Sequence, residues 1–165
     1  MNQFKVPLII RGEIIEDYQV DYADRNGGLR FQTPDVKKYL RRLVNASAIS
    51  QLDMYKISLD DIIEFLHEVG RRLDLDTNPR WREAFEVSCL TSNLSRSVLE
   101  TAYRGCGGLL HRDKIRERVE AQIGSRYLEG WVPTPLADGR VLQIRAMGAR
   151  GVHVIAGNVP IVSAF

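Results

Sequence analysis

At 165 residues the chain is long enough for one ordinary domain with a core. Its 44% hydrophobic and 27% charged residues are typical of globular proteins, which excludes disordered, collagen-like and coiled-coil classes. Twenty-three basic residues face twenty-one acidic ones for a net charge of +2, and the basic pairs Lys37-Lys38, Arg41-Arg42 and Arg71-Arg72 lie among acids on predicted helices, so the concentrated positive patch of a nucleic-acid module is missing.

The opening residues carry no secretory signal, and no stretch approaches the roughly eighteen to twenty apolar residues that span a bilayer. A cytoplasmic, reducing location is therefore expected for the two cysteines, Cys89 and Cys106. Val6–Ile10 and Arg11–Ile15 read as two short strands broken by a glycine turn. Asn26-Gly27-Gly28 is a second turn, and Leu29–Gln32 returns as a strand.

Helices follow. Thr33-Pro34 predicts a start, with the hydroxyl at the cap and proline where no amide bond is lost, and Val36, Tyr39, Leu40 and Leu43 continue at helical spacing. Ser58 and Asp61 are spaced as a capping box before a stripe of Ile62, Leu66, Val69 and Leu73. Asn78-Pro79 opens a third helix with Trp81, Ala84, Phe85 and Ser88 on one side. Ser95 caps a fourth with Val98, Leu99 and Ala102 inward. Arg112–Ile123 makes a fifth, with Ile115, Val119 and Ile123 four apart and Gly124 ending it.

Gly130–Pro135 is expected to be a loop, because two prolines and a glycine exclude a helix. Gly139–Ala146 reads as a strand, Gly148–Gly151 as a turn, and Val152–Ala156 as an apolar strand suited to burial on both faces. The apolar Ile161–Phe165 that follows has no cap, so truncation inside a larger fold is expected. The predicted organisation is N-terminal strands over 1–32, a helical region over 33–130, and over 131–165 the beginning of a further strand-rich fold.

Val152–Pro160 carries the chemistry. It reads as strand, Gly157-Asn158-x-Pro160 turn, then helix start, a geometry that places backbone amides and a helix N-terminus beside a strand end and so favours an anion. His67, His111 and His153 lack metal-ligand spacing, and no metal site is expected. Cys89 sits within a helix, where a cysteine is an inert small hydrophobe. Cys106, in Arg104-Gly-Cys-Gly-Gly108, is expected in a flexible loop near His111. That pairing leaves a small thiol enzyme as an open alternative.

The segment VHVIAGNVPIVSAF (152–165) resembles the Gly-Asn-x-Pro region of LuxC-type long-chain fatty-acyl-CoA reductases, members of the aldehyde dehydrogenase superfamily. VPLIIRGEIIE (6–16), MYKISLDDIIEFLHEVGRRLDL (54–75), YLEGWVP (127–133) and DGRVLQIRAMGARGVHVIAGNVP (138–160) are similar to further parts of that family's N-terminal region. The resemblance implies an α/β fold: short strands, a helical layer, and the first strand of a doubly wound cofactor-binding sheet. It also implies a cysteine thiolate that attacks an acyl-CoA or acyl-protein thioester, and NADPH as the hydride source. Asn158 is implied as the amide donor to the oxyanion. Ile155, Ala156 and Gly157 would line the nicotinamide side, and Pro160 would set the turn. The family's reactive cysteine lies downstream of the asparagine turn, and neither Cys89 nor Cys106 matches its position. Acyl-transferase and synthetase subunits are the implied partners, in aldehyde supply for luminescence. The alternative from another class is a non-catalytic helical interaction module derived from that family.

Overall fold

A computed structural model of the chain describes residues 2–23, 29–44 and 49–148. Their architecture is mixed α/β, with helices and small separate sheets. The residues group into two compact units, Met1–Ser50 with Leu90–Ser92, and Gln51–Cys89 with Asn93–Phe165.

In the first unit, strands β1 (Asn2–Lys5), β5 (Leu29–Pro34) and β4 (Tyr18–Ala23) form a sheet in that order, β1 parallel and β4 antiparallel to β5. The β1–β5 register sets Phe4 opposite Phe31, whose rings stack at 5.9 Å. A second pair, β2 (Leu8–Ile10) and β3 (Glu13–Ile15), is the expected hairpin. Its two-residue turn has Arg11 at φ 53° and Gly12 at φ 80°, the left-handed pair that matches the twist of flanking strands. Period-2 alternation then buries Ile10 and Ile15 while their neighbours Ile9 and Ile14 stay exposed.

Thr33-Pro34 does not start a helix. The pair ends β5, with Pro34 opposite Tyr18, because the residue before a proline is pushed to extended backbone. Helix α1 (Val36–Leu43) starts two residues later, where the Asp35 carboxylate accepts the Lys37 N–H at 3.0 Å. None of its residues is buried, and Val36, Leu40 and Leu43 are exposed. The short helix α2 (Ile49–Met54) has no counterpart in the sequence reading.

The second unit is built around α3 (Leu59–Arg72), which packs against α5 (Arg96–Leu109), α6 (Arg112–Gln122) and α7 (Ser125–Glu129). Ser58 caps α3 as expected, accepting the Asp61 N–H at 3.0 Å. The stripe Ile62, Leu66, Val69 and Leu73 is only half-buried, and the most enclosed residues of α3 are Ile63 and Gly70. Flanked by three helices, α3 hides a wider face than one stripe.

Asn78 accepts the N–H groups of Arg80 and Trp81 at the start of α4 (Pro79–Thr91) and donates to the Arg72 carbonyl at 2.6 Å, joining the end of one helix to the start of the next. Ser95 caps α5, where Leu99 is buried but Val98 exposed. Leu75, Phe85, Leu99 and Tyr103 form the core, with Trp81, Cys89 and Leu94 against it. Tyr103 sits between Trp81, tilted against it at 4.7 Å, and Phe85, edge-on at 5.3 Å, and its hydroxyl lies 2.6 Å from that of Ser88. Salt bridges tie the surface: Arg104 to Asp76, Arg96 to Glu86, Arg112 to Glu64, and Arg116 to Asp60. The guanidinium hydrogen bonds hold the Asp76 and Glu86 carboxyls below their usual range.

Two further expectations are corrected. Arg104–Gly108 is not a loop but the last turns of α5, because Leu99, Tyr103, Cys106 and Leu110, spaced four, three and four apart, all point into the core. Gly130–Pro135 is not wholly loop: Val132–Pro135 is strand β6, antiparallel to β7 (Val141–Ile144), within the expected 139–146 strand. A two-stranded hairpin leaves each strand one unpaired edge, where a proline costs no ladder bond. Its turn closes with the Leu136 N–H donating to the Arg140 carbonyl at 2.8 Å and Gly139 at φ 85°. The Gly124 stop is borne out, at φ 86° with its N–H on the Val119 carbonyl at 2.8 Å.

Helices α3 and α5 cross with their backbones in close contact. A Cβ on Gly107 would sit 2.6 Å from the Gly70 carbonyl oxygen, and one on Gly70 would sit 2.8 Å from that of Gly107. Gly105, one turn face away, has nothing within 4 Å. Gly107→Ala is expected to lower stability by about 1–3 kcal/mol through overpacking against backbone, whereas Gly105→Ala should raise it by roughly 0.5–1 kcal/mol as a helix-interior replacement. Urea unfolding of both variants checks this, and a neutral Gly107→Ala would contradict the crossing.

Candidate functional site

The residues that the resemblance assigns to catalysis and cofactor binding, Asn158 with Ile155, Ala156, Gly157 and Pro160, lie outside the described residues, as do His153 and the predicted Val152–Ala156 strand. The described chain runs up to them through β7, Arg145, Ala146 and Gly148. A dinucleotide needs free backbone amides where a strand gives way to a helix. The strand-to-helix junction between β5 and α1 presents the Asp35 carboxylate there instead, already bonded to the first turn and repelling a phosphate.

Cys106 has no nucleophile's environment. It is wholly buried, its thiol donates to the Ala102 carbonyl at 3.2 Å, and burial pushes its pKa up, favouring the neutral thiol. Nor does His111 serve as its base. The imidazole packs edge-on against that of His67 with centroids 5.1 Å apart, and its Nδ1 lies 3.5 Å from the Asp113 carboxylate. A Cys/His enzyme requires thiol and imidazole in hydrogen-bond contact, which this arrangement does not provide. Cys89 is half-buried at the edge of the aromatic core, as a helical cysteine is expected to be.

His67 and His111 line a cleft of about 440 Å³ beside the Gly70–Gly107 crossing, together with Arg71, Asp74 and Arg104. The Nδ1 of His67 is buried without a hydrogen-bond partner. Spacing in the sequence placed the two histidines far apart, and the packing of α3 on α5 and α6 brings them together. No cluster of three metal-ligating side chains occurs among the described residues.

The larger cavity, about 530 Å³, lies at the N-terminal end of α3. Its walls come from the α2–α3 connection (Tyr55, Ile57), α3 (Leu59, Ile62), α7 (Leu128) and the segment after β7 (Ala146). The Ala146 N–H donates to the Tyr127 carbonyl at 2.8 Å, and the Leu59 N–H donates to Glu129 at 3.3 Å, which joins these three pieces. Nothing in the sequence marked this cavity, since no motif links wall residues drawn from three distant stretches.

No family model matches the chain, and no curated protein or solved structure matches it. Among the described residues no helix is long and apolar enough to cross a membrane.

Alkylation of Cys106 by iodoacetamide at pH 8 is expected only after denaturant is added, because the thiol is enclosed and held neutral. Peptide mapping by mass spectrometry reads it. Rapid labelling of the folded chain at Cys106 would restore the thiol-enzyme alternative.

Proposed function

We propose that this chain is the N-terminal part of an NADPH-dependent acyl-CoA reductase of the aldehyde dehydrogenase superfamily, acting in the cytoplasm on long-chain fatty acyl thioesters. The observation that carries the reading is the Gly157-Asn158-x-Pro160 segment within a stretch, 138–160, that resembles the family throughout. Cys106 is buried and held neutral, so it does not compete with the family's nucleophile, which lies downstream of the asparagine turn.

In this reading a cysteine thiolate attacks the thioester carbonyl carbon. A new carbon–sulfur bond forms, the bond to the CoA sulfur breaks, and the CoA thiolate leaves and takes up a proton. The Asn158 side-chain amide donates to the carbonyl oxygen as negative charge builds on it, stabilisation that matters most in the transition state. NADPH, when bound, would supply the hydride to the carbonyl carbon of the acyl-cysteine; the carbon–sulfur bond then breaks, which releases the aldehyde and returns the cysteine to its thiolate. Ile155 to Gly157 and Pro160 are the residues proposed to lie along it. Acyl-transferase and synthetase subunits are the proposed partners, with luciferase-type light emission the use of the aldehyde.

A second reading, a non-catalytic interaction module, draws on the exposed apolar side chains of α1, Val36, Leu40 and Leu43. The two readings separate in one assay. Protein expressed from the complete reading frame is expected to oxidise NADPH with tetradecanoyl-CoA, and Asn158→Ala to lower kcat by about a hundredfold to a thousandfold. Residues 1–165 alone are expected to give no turnover. No activity from the complete protein favours the interaction module, and an Asn158→Ala variant with unchanged kcat removes the role given to Asn158.

A further inference from the structure

We propose that helix α1 docks the chain onto an anionic lipid surface, its aliphatic side chains entering the head-group layer and Lys37 and Arg41 contacting the lipid phosphates. This surface lies in the first unit and neither requires nor excludes catalysis at the Asn158 segment, so it goes beyond both readings above.

A surface helix ordinarily turns its apolar stripe inward and its charges to water. Helix α1 does the reverse. Val36, Leu40, Leu43 and Val44, at i, i+4, i+7 and i+8, share one side of it, and their exposures run from 42% to 64%. The side that meets the strands is polar. Lys38 donates to the Gln19 side chain, the Tyr39 hydroxyl donates to Asp17 at 3.4 Å, and Arg42 pairs with Glu13. These three anchors fix which way the helix faces, so the aliphatic stripe is held outward.

Charge selects the occupant. Lys37 and Arg41, each one position on from Val36 and Leu40, run along the edge of the stripe. Both are exposed, and among the described residues neither makes a salt bridge. A second copy of the chain would bring these like charges together across a two-fold axis, which opposes self-pairing. An eight-residue helix is about 12 Å long. Its outward side is a convex ridge, with less area than the roughly 800 Å² per partner of a specific protein interface. A bilayer surface needs no matching groove. Aliphatic residues on one side of a helix, with Lys and Arg beside them, lie in the interface plane and add attraction to anionic lipid. The helix N-terminus takes no part, because the Asp35 carboxylate already accepts the Lys37 N–H there.

The test is co-sedimentation of the 165-residue chain with vesicles of phosphatidylcholine and phosphatidylglycerol in equal parts, beside vesicles of phosphatidylcholine alone. Pelleting is expected with the mixed vesicles only, and raising the salt concentration should reverse it. Leu40→Glu, at a position 52% exposed and so tolerant of change, should weaken binding roughly tenfold or more, as should Lys37→Glu combined with Arg41→Glu. Arg118→Glu, which reverses an exposed cation on α6, should leave binding unchanged and so separates α1 from general surface charge. Circular dichroism checks that each variant folds. Pelleting with neither vesicle, or equal binding by Leu40→Glu, overturns the proposal. A dimer of the lipid-free chain in sedimentation velocity that Leu40→Glu dissociates also overturns it, since a second copy then covers the stripe. The vesicles contain neither NADPH nor a thioester, so failure here leaves the reductase reading standing and the reverse also holds.

Discussion

The second unit depends on the contact between the backbones of α3 and α5 at Gly70 and Gly107. Two glycines face each other across a gap that a single methyl group would overfill, since a Cβ on either meets the other's carbonyl oxygen below 3 Å. Glycine within a helix costs roughly 0.5–1 kcal/mol relative to alanine. Three of them, at 105, 107 and 108, weaken the end of α5 as an isolated helix. What offsets this is burial: Tyr103, Cys106 and Leu110 come inward along the same turns. The close crossing also carries α3 into reach of α6 and α7. The ion pairs Arg112–Glu64 and Arg116–Asp60 and the Glu129 bond to Leu59 follow from that position.

The same dependence explains which parts of the fold were legible in the sequence. Helix starts at Ser58, Asn78 and Ser95 and the stop at Gly124 could be read, because cap chemistry involves groups two to five residues apart. The Arg11-Gly12 hairpin was legible for the same reason. Thr33-Pro34, Arg104–Gly108 and Gly130–Pro135 were misread together, since proline and glycine were taken as local breakers where long-range pairing decided. Pro34 ends a strand held by Tyr18, Gly107 serves a helix crossing, and Pro133 and Pro135 lie in a hairpin with a free edge. β1 and β4 left no clear periodic signal because each is defined by its partner β5. The spacing of Leu99, Tyr103, Cys106 and Leu110 was in the sequence and would have extended α5 had it been weighed above the glycines.

The functional reading rests on a different kind of signal. Asn158 and its neighbours stand out by resemblance, and by the strand–turn–helix pattern they share with anion sites in general. The two cavities were invisible, because their walls combine stretches such as 54–62, 128–129 and 146–148 that only folding brings together. Among the described residues Cys106 is a buried, neutral thiol, and no cluster of three metal-ligating side chains occurs.

The central claim is that acyl transfer occurs on a cysteine other than the two in this region. The most direct measurement is to incubate protein from the complete reading frame with radiolabelled tetradecanoyl-CoA in the absence of NADPH, then map the label by peptide mass spectrometry. The account predicts a hydroxylamine-sensitive acyl thioester on a cysteine downstream of Asn158, with Cys89 and Cys106 unmodified. Label on Cys106 or Cys89, or no covalent label at all, would contradict it.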